Sequence, residues 1–129
     1  MARSLNPPTI RPPFARYSHG IEVPAGRRLV MCSGQLGVHA DDSVPIGVEE
    51  QTARCFENIA AILGEADLTL SDVVKVSAYV TAREHMPGYM KVRDRYFGDP
   101  PPASTLMIVS GFTRPEFLVE VEVVAAARS

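Results

Sequence analysis

The clearest pattern in the sequence is a run from Val48 to Ala66 in which apolar residues recur every three or four positions. Polar and charged residues fill the positions between them, so one side of a helix would be apolar and the other solvated. Glu49 and Glu50 stand in the first turn, where the helix dipole favours negative charge. Asp67 follows the last turn, and aspartate tolerates the left-handed conformation that often ends a helix. We therefore predict an amphipathic helix over this run.

Shorter patterns predict a second helix and five strands around the first helix. Apolar and aromatic residues at helical spacing indicate a helix over 84–97, which Gly98 would end. The turn Pro24-Ala25-Gly26 would join the first two strands as a hairpin, and residues 33–47 are expected to be mainly loop. The order ββαβαββ, with no internal repeat or linker, predicts one α+β domain over 1–129 with a mixed sheet. The predicted strands are 17–23, 28–32, 73–80, 104–109 and 118–125, preceded by a Pro-rich extended segment over 1–16.

Two helices can cover only one face of a sheet of this size. The runs 29–32 and 106–109 are nevertheless apolar at every position, and the last strand has apolar residues on both faces. An uncovered apolar sheet face is expected to bury itself against another subunit. The pattern therefore predicts an oligomer, although it does not give the symmetry.

The composition is that of an ordinary globular domain with a near-balanced charge. The chain has 129 residues, a net charge of −2 and a pI near 5.9. It therefore lacks the excess of positive charge that is typical of proteins that bind nucleic acid. No stretch approaches the length of a membrane span, and prolines interrupt the first 13 residues where a signal peptide would need an apolar core. The two cysteines form no disulfide framework. We expect a cytoplasmic protein with no nucleic-acid or membrane partner.

In each of two short segments, two side chains capable of acid–base chemistry lie on the same face of a predicted strand. Glu120 and Glu122 lie two residues apart amid valines, and their spacing alone favours a solvated stripe over a partly desolvated general base. Tyr17 and His19 share a face in the same way; tyrosine could donate a hydrogen bond to a substrate, and histidine could shuttle a proton. The ordinary alternative is a core tyrosine with an exposed histidine.

Gly34, in Ser33-Gly34-Gln35, would let backbone N–H groups approach a ligand closely, although glycine is common in loops. The three histidines have no ligand-like spacing with each other or with cysteine, so no metal site is predicted. Neither a phosphate-binding nor a dinucleotide-binding motif is present, and no cofactor is expected. Cys32 and Cys55 are interpreted as small buried apolar residues.

Four segments carry a further signal through their order and spacing. They are Tyr-Ser-His-Gly at 17–20, Met-Cys-Ser-Gly-Gln at 31–35, a helix and strand over 58–76, and Pro-Ala-Ser-Thr at 102–105 followed by Val-Glu-Val-Glu at 119–122. Together they resemble the reactive-intermediate imine deaminase (Rid) family, also called YjgF or L-PSP, over nearly the whole chain.

This resemblance implies a chorismate-mutase-like fold assembled as a homotrimer, with sites in clefts between subunits. It also implies hydrolysis of small enamines or imines, such as 2-aminoacrylate, to a carbonyl compound and ammonia without metal or organic cofactor. By the same resemblance, Glu120 would orient or deprotonate the attacking water. Tyr17 would line the site with His19 beside it, and the backbone around Gly34 and Leu106 would contact the substrate.

The sequence departs from the deaminase branch at one position of its signature. That branch has Pro-Ala-Arg-Ser or Pro-Ala-Arg-Thr, whereas this chain has Ser104 before Thr105, and Leu106 replaces a frequent cysteine. A neutral hydroxyl cannot replace the bidentate contact of arginine with a carboxylate. Losing such a contact costs about 2–5 kcal/mol, so we expect a substrate other than 2-aminoacrylate.

Three explanations of the departure stay open. The substrate could be an imine without a carboxylate, suited to a pocket with Ser104 and Leu106. Another cation could replace the arginine, with Arg16 and Arg114 as candidates. The site could also bind a ligand without turning it over, as in a non-catalytic trimer that senses a metabolite or acts like a chaperone. RNA cleavage, which some family names suggest, is disfavoured by the acidic pI.

Overall fold

The computed structural model describes residues 2–128, which fold as an α+β domain with two helices and a mixed four-stranded sheet. The elements follow the predicted order, with one additional short strand at the beginning. Single turns of 3₁₀ helix cover Leu70–Asp72 and Arg83–His85, each directly before the next strand or helix. The strands and helices are β1 (Arg3–Leu5), β2 (Gly20–Glu22), β3 (Leu29–Leu36), α1 (Val48–Gly64), β4 (Val73–Val80), α2 (Met86–Tyr96), β5 (Ala103–Ile108) and β6 (Val119–Ala126).

The main sheet has the strand order β3-β6-β4-β5. Its central strand β6 is antiparallel to both neighbours, whereas β4 and β5 are parallel. The predicted hairpin between 17–23 and 28–32 is wrong, because β2 pairs antiparallel with β1 and places Ile21 opposite Ser4. Alternation shows that a segment is a strand, but it does not identify the partner strand.

Both helices pack on one face of the sheet and form a single core with it. Phe56, Ile59 and Leu63 of α1 and Tyr89 of α2 are fully buried against the sheet's apolar side chains. The helix predicted over 48–66 ends two residues earlier, and Asp67 adopts the expected left-handed conformation with φ 59°. Alternation along β6 decides which residues join the core. The buried positions of this strand are Val119, Val121, Val123 and Ala125.

Strand β3 is longer than its apolar pattern predicts. It continues past Cys32 to Leu36, and its register against β6 shifts between Cys32 and Gln35. The segment Ser33-Gly34-Gln35, predicted as loop, therefore lies within the strand at a β-bulge. Backbone pairing with β6 does not need apolar side chains, and a bulge admits the extra residue.

The opposite face of the sheet is left uncovered, as the sequence predicts, and we call it the open face. Met31, Leu29 and Met107 lie on it with 72%, 56% and 53% of their surface exposed. Polar residues occupy its centre, where the strands β4, β5 and β6 lie side by side. These central residues are Lys75, Ser77, Tyr79, Thr105, Glu120 and Glu122.

Both cysteines are buried, which confirms their interpretation as small core residues. Burial is the main reason that the pKa of the Cys55 thiol rises to about 12, and the negative charge of Glu120 adds to the effect. Within residues 2–128, no three histidine, cysteine or acidic side chains come together in a way that could hold a metal ion. Neither helix among these residues combines the length and apolar character that crossing a membrane requires.

Candidate functional site

Glu120 projects from β6 onto the open face, because its neighbours Val119 and Val121 point into the core. Its carboxylate lies directly over the backbone of Gly34 in the β3 bulge. A Cβ atom built on Gly34 would stand 2.8 Å from Glu120 Cδ and 2.9 Å from its Oε2. Any side chain at position 34 would therefore displace the carboxylate, so the bulge glycine fixes where Glu120 lies.

The second carboxylate of β6 has a different environment. Tyr79, which pairs opposite Glu120, donates a hydrogen bond from its hydroxyl to Glu122 Oε1 at 2.5 Å. This bond is the main cause of a raised pKa at Tyr79, to which burial also contributes. Glu120 makes no side-chain hydrogen bond or ion pair with another residue in 2–128. Of the two carboxylates, Glu120 is the one with both oxygens free to accept hydrogen bonds from water.

Replacing Gly34 with alanine tests this arrangement. The new methyl group would force the Glu120 carboxylate aside, and we expect kcat in imine hydrolysis to fall about tenfold with little change in stability. Gly64→Ala is the matched control, because a Cβ at Gly64 meets nothing within 4 Å. Steady-state ammonia release and thermal unfolding check both variants; equal activity of Gly34→Ala and wild type would contradict the geometry.

Tyr17 and His19 lie at the β5 edge of the sheet. The residue between them, Ser18, forms a parallel bridge with Ala103, and the two rings meet edge to face with centroids 6.1 Å apart. His19 Nε2 is 2.7 Å from the carbonyl oxygen of Arg11 in the preceding arm. The Tyr17 hydroxyl accepts a hydrogen bond from the N–H of Phe14 at 3.3 Å. Both side chains are thus held by the N-terminal segment.

The three signature positions on β5 divide between the two faces of the sheet. Ser104 and Leu106 pair with the core residues Val76 and Ala78, so they lie on the helix side. Thr105 lies on the open face. Ser104 is two strands away from Glu120 and three residues further along the sheet, because Ser104 pairs with Val76 and Glu120 with Tyr79. The two residues are therefore about 14 Å apart in the sheet plane, and they lie on opposite faces. A small imine cannot contact both residues within one protomer.

The two arginines considered as replacements for the signature cation have partners elsewhere. Arg16 donates from Nη2 to the carbonyl oxygen of Gly98 at 2.5 Å. Arg114 Nη1 lies 3.2 Å from Asp42 Oδ2, and its guanidinium stacks 4.5 Å from the centroid of the Phe117 ring. These contacts hold the two guanidinium groups against Gly98 and Asp42, and not against Glu120.

Sequence reasoning missed two residues of the open face, Lys75 and Tyr79. Lys75 Nζ donates to Thr105 Oγ1 at 2.7 Å, which places a cation beside a predicted site residue. The signal was present in the sequence, since alternation along 73–80 places Lys75, Ser77 and Tyr79 on one face. What the alternation could not show is that this face lies next to Glu122.

The fold and site define a class: a chorismate-mutase-like α+β domain whose uncovered sheet face carries a glutamate over a glycine bulge. The family model described as Endoribonuclease L-PSP matches residues 9–127. A RutC family protein of Pyrococcus abyssi is 34% identical over 115 residues, covering 88% of this chain and 87% of the relative. The chain belongs to the YjgF/L-PSP family, also called Rid.

Solved structures and a further relative agree with this assignment. A Rid-family protein of unknown function from Yersinia pestis has a TM-score of 0.85 and 28% identity, with 98% of each chain covered. A putative endoribonuclease from Thermotoga maritima has a TM-score of 0.73 and 29% identity over 100% of both chains. A 2-iminobutanoate/2-iminopropanoate deaminase from Dermatophagoides farinae is 26% identical over 110 residues, or 84% of each chain. Membership in the YjgF/L-PSP family supports a general role for this chain as an imine deaminase or an L-PSP endoribonuclease-like protein.

Proposed function

We propose that this protein hydrolyses a small imine, or the enamine that tautomerises to it, to a carbonyl compound and ammonia. The observation that carries the proposal is the Glu120 carboxylate, which lies on the open face over Gly34 without a partner in residues 2–128. A water held there would add its oxygen to the C=N carbon while Glu120 accepts its proton. Proton transfer to the nitrogen then releases ammonia, and the carbonyl forms.

The contrast between the two carboxylates of β6 supports Glu120 as the base. Glu122 is occupied by the hydroxyl of Tyr79 at 2.5 Å, so one of its oxygens already accepts a strong hydrogen bond. Glu120 lies two residues before Glu122 on the same face of β6, and both of its carboxylate oxygens are available to accept hydrogen bonds. Hydrolysis needs one carboxylate that can take a proton from water, and this pair supplies one.

The complete site is proposed to form between subunits of a homotrimer. Tyr17, Ser104 and Leu106 lie at the β5 edge or on the helix side, whereas Glu120 lies on the open face two strands away. A second copy could bring its β5 edge beside Glu120. It would also cover the exposed apolar residues Met31, Leu29 and Met107.

We expect light scattering on the purified chain to give a mass of about 42 kDa, three times the 14.0 kDa of one protomer. Association should hide the exposed methionines of the open face, since burial of apolar area drives most protein assembly. Met31→Glu should therefore lower the mass toward that of the monomer. A control, Ile46→Glu, changes an exposed apolar residue outside the sheet and should not. A wild-type monomer at micromolar concentration would contradict the intersubunit site.

The substrate of this site is proposed to be an imine without a carboxylate. Ser104 offers no positive charge, and the guanidinium groups of Arg16 and Arg114 are engaged by Gly98 and Asp42. None of these three positions therefore offers a free positive charge that could form a charge-assisted hydrogen bond to a substrate carboxylate.

A substrate panel tests the proposed function. Imines formed in situ by an amine oxidase lack the carboxylate, and those formed by an amino-acid oxidase carry it; ammonia release is measured for both. We expect faster turnover of the first group and a shift toward the second in Ser104→Arg. No acceleration with either group would leave the non-catalytic alternative, and ligand binding unaffected by Glu120→Ala would then support it.

A further inference from the structure

The part of β3 that touches Glu120 has little support from the sheet itself. Within residues 2–128, β3 has a neighbouring strand on one side only, namely β6. The register between these two strands shifts between Cys32 and Gln35, so the bulge around Gly34 interrupts the pairing on that side as well. Past the bulge, Leu36 ends the strand and pairs opposite Glu120. The position of this segment therefore depends on a second anchor outside the sheet.

Asn58 of α1 supplies such an anchor. Its Nδ2 donates hydrogen bonds to the carbonyl oxygens of Val38 at 3.1 Å and of Leu36 at 3.4 Å. The N–H of Val38 donates to the same Leu36 carbonyl at 2.9 Å, so the chain turns at this point and presents both carbonyls to the helix. Because Leu36 is two residues from Gly34, the anchor acts about 7 Å from the bulge glycine.

Arg54, one turn earlier on α1, sets the orientation of the Asn58 amide. Arg54 Nε donates to Asn58 Oδ1 at 3.0 Å. Since this N–H can only donate, it selects the amide oxygen, and the NH₂ group of Asn58 faces the two carbonyl oxygens of β3 and its turn. A carboxylate at position 58 would keep the contact with Arg54 but would set a second acceptor against those carbonyls. The position therefore requires an amide, and a polar side chain of the same size is not sufficient.

We propose that Asn58 is a positioning residue for the hydrolysis, and that it acts by holding the end of β3 so that Gly34 fixes the Glu120 carboxylate. The proposal rests on the proposed function and deepens it. A Cβ on Gly34 would stand 2.8 Å from Glu120 Cδ, so the carboxylate already packs against this backbone and would follow a small movement of it. A misplacement of about 1 Å in a catalytic group can cost about 10²-fold in rate.

Asn58→Asp tests the proposal, because it keeps the size of the side chain and exchanges the donor for an acceptor. We expect kcat for imine hydrolysis to fall about tenfold with KM nearly unchanged, since the base moves while the rest of the site stays. Ala61→Asp is the matched control; it adds the same charge at an exposed position of α1 and should keep full activity. Thermal unfolding confirms that both variants are folded. Full activity of folded Asn58→Asp would overturn the proposal.

A combination with Gly34→Ala distinguishes positioning from a general loss of structure. Both changes displace the same carboxylate, so their effects should not multiply. We expect the double variant to lose about 10- to 20-fold in kcat, whereas independent effects would give about 100-fold. A loss near 100-fold would show that Asn58 does not act through Gly34 and would overturn the proposal.

Hydrogen exchange followed by mass spectrometry gives a readout that does not depend on activity. Asn58→Asp should speed amide exchange over residues 33–38 about tenfold, with exchange in α2 unchanged. Faster exchange in this segment together with an inactive wild type would contradict the proposed hydrolysis and would support the anchoring of β3 by Asn58. Unchanged exchange in the folded variant would overturn the anchoring whether or not the wild type is active.

Discussion

Glu120→Gln is expected to lower kcat/KM for imine hydrolysis by about 10²–10⁴-fold, because the amide cannot accept the proton of the attacking water. The substitution keeps the size and shape of the side chain, so the contact with Gly34 and the fold should persist. Ammonia release from an in situ imine measures the effect, and thermal unfolding confirms that the variant is folded.

Glu50→Gln is the control for this change, since Glu50 lies on the exposed side of α1 and its replacement also removes one negative charge. It should retain full activity. If Glu120→Gln kept more than half of the wild-type activity while folded, Glu120 would not be the base, and the role would have to pass to another group.

Gln51→Leu is expected to reduce the free energy of unfolding by about 2–4 kcal/mol, because three partly buried hydrogen bonds to the backbone would be lost. Gln51 is only 2% exposed on the first turns of α1. Its Nε2 donates to the carbonyl oxygens of Pro45 and Glu116 at 3.0 and 2.9 Å. Its Oε1 accepts from the N–H of Leu118 at 2.9 Å, so one side chain joins the loop before α1 to the approach to β6.

Urea unfolding at one fixed protein concentration measures this loss, since oligomerisation makes stability depend on concentration. Gln35→Leu is the control, because within residues 2–128 the side chain of Gln35 makes a single hydrogen bond, which it donates to the carbonyl oxygen of Ser33 at 3.2 Å. We expect it to cost less than about 1 kcal/mol. Similar losses in the two variants would show that the Gln51 contacts contribute little to stability.

Much of the fold follows from periodicity alone. The strand predicted over 73–80 has the same bounds in the structure, and the helix predicted over 48–66 begins at the same residue. Alternation along the last strand separates Glu120 and Glu122 from the valines that enter the core. These features depend on which side of one element a residue faces, and the sequence pattern carries that information directly.

Pairing and register required the structure. Residues 33–35 look like loop because they lack apolar side chains, yet they lie within β3 at a bulge, after which Gln35 pairs with Val121 of β6. The side on which Ser104 lies depends on its register with Val76 of β4, which no pattern within β5 reveals. The meeting of Lys75 with Thr105, and of Tyr79 with Glu122, likewise depends on which strands are neighbours. The candidate site was therefore predictable as residue types, but not as a three-dimensional cluster.

Ammonia release from a carboxylate-free imine tests the central claim most directly. An amine oxidase generates the imine continuously, and its hydrolysis is followed with and without the purified chain. The proposed function predicts an initial rate at least about tenfold above spontaneous hydrolysis, rising in proportion to protein concentration. A rate equal to that in buffer, with folded protein and with imino acids tested alongside, would contradict it.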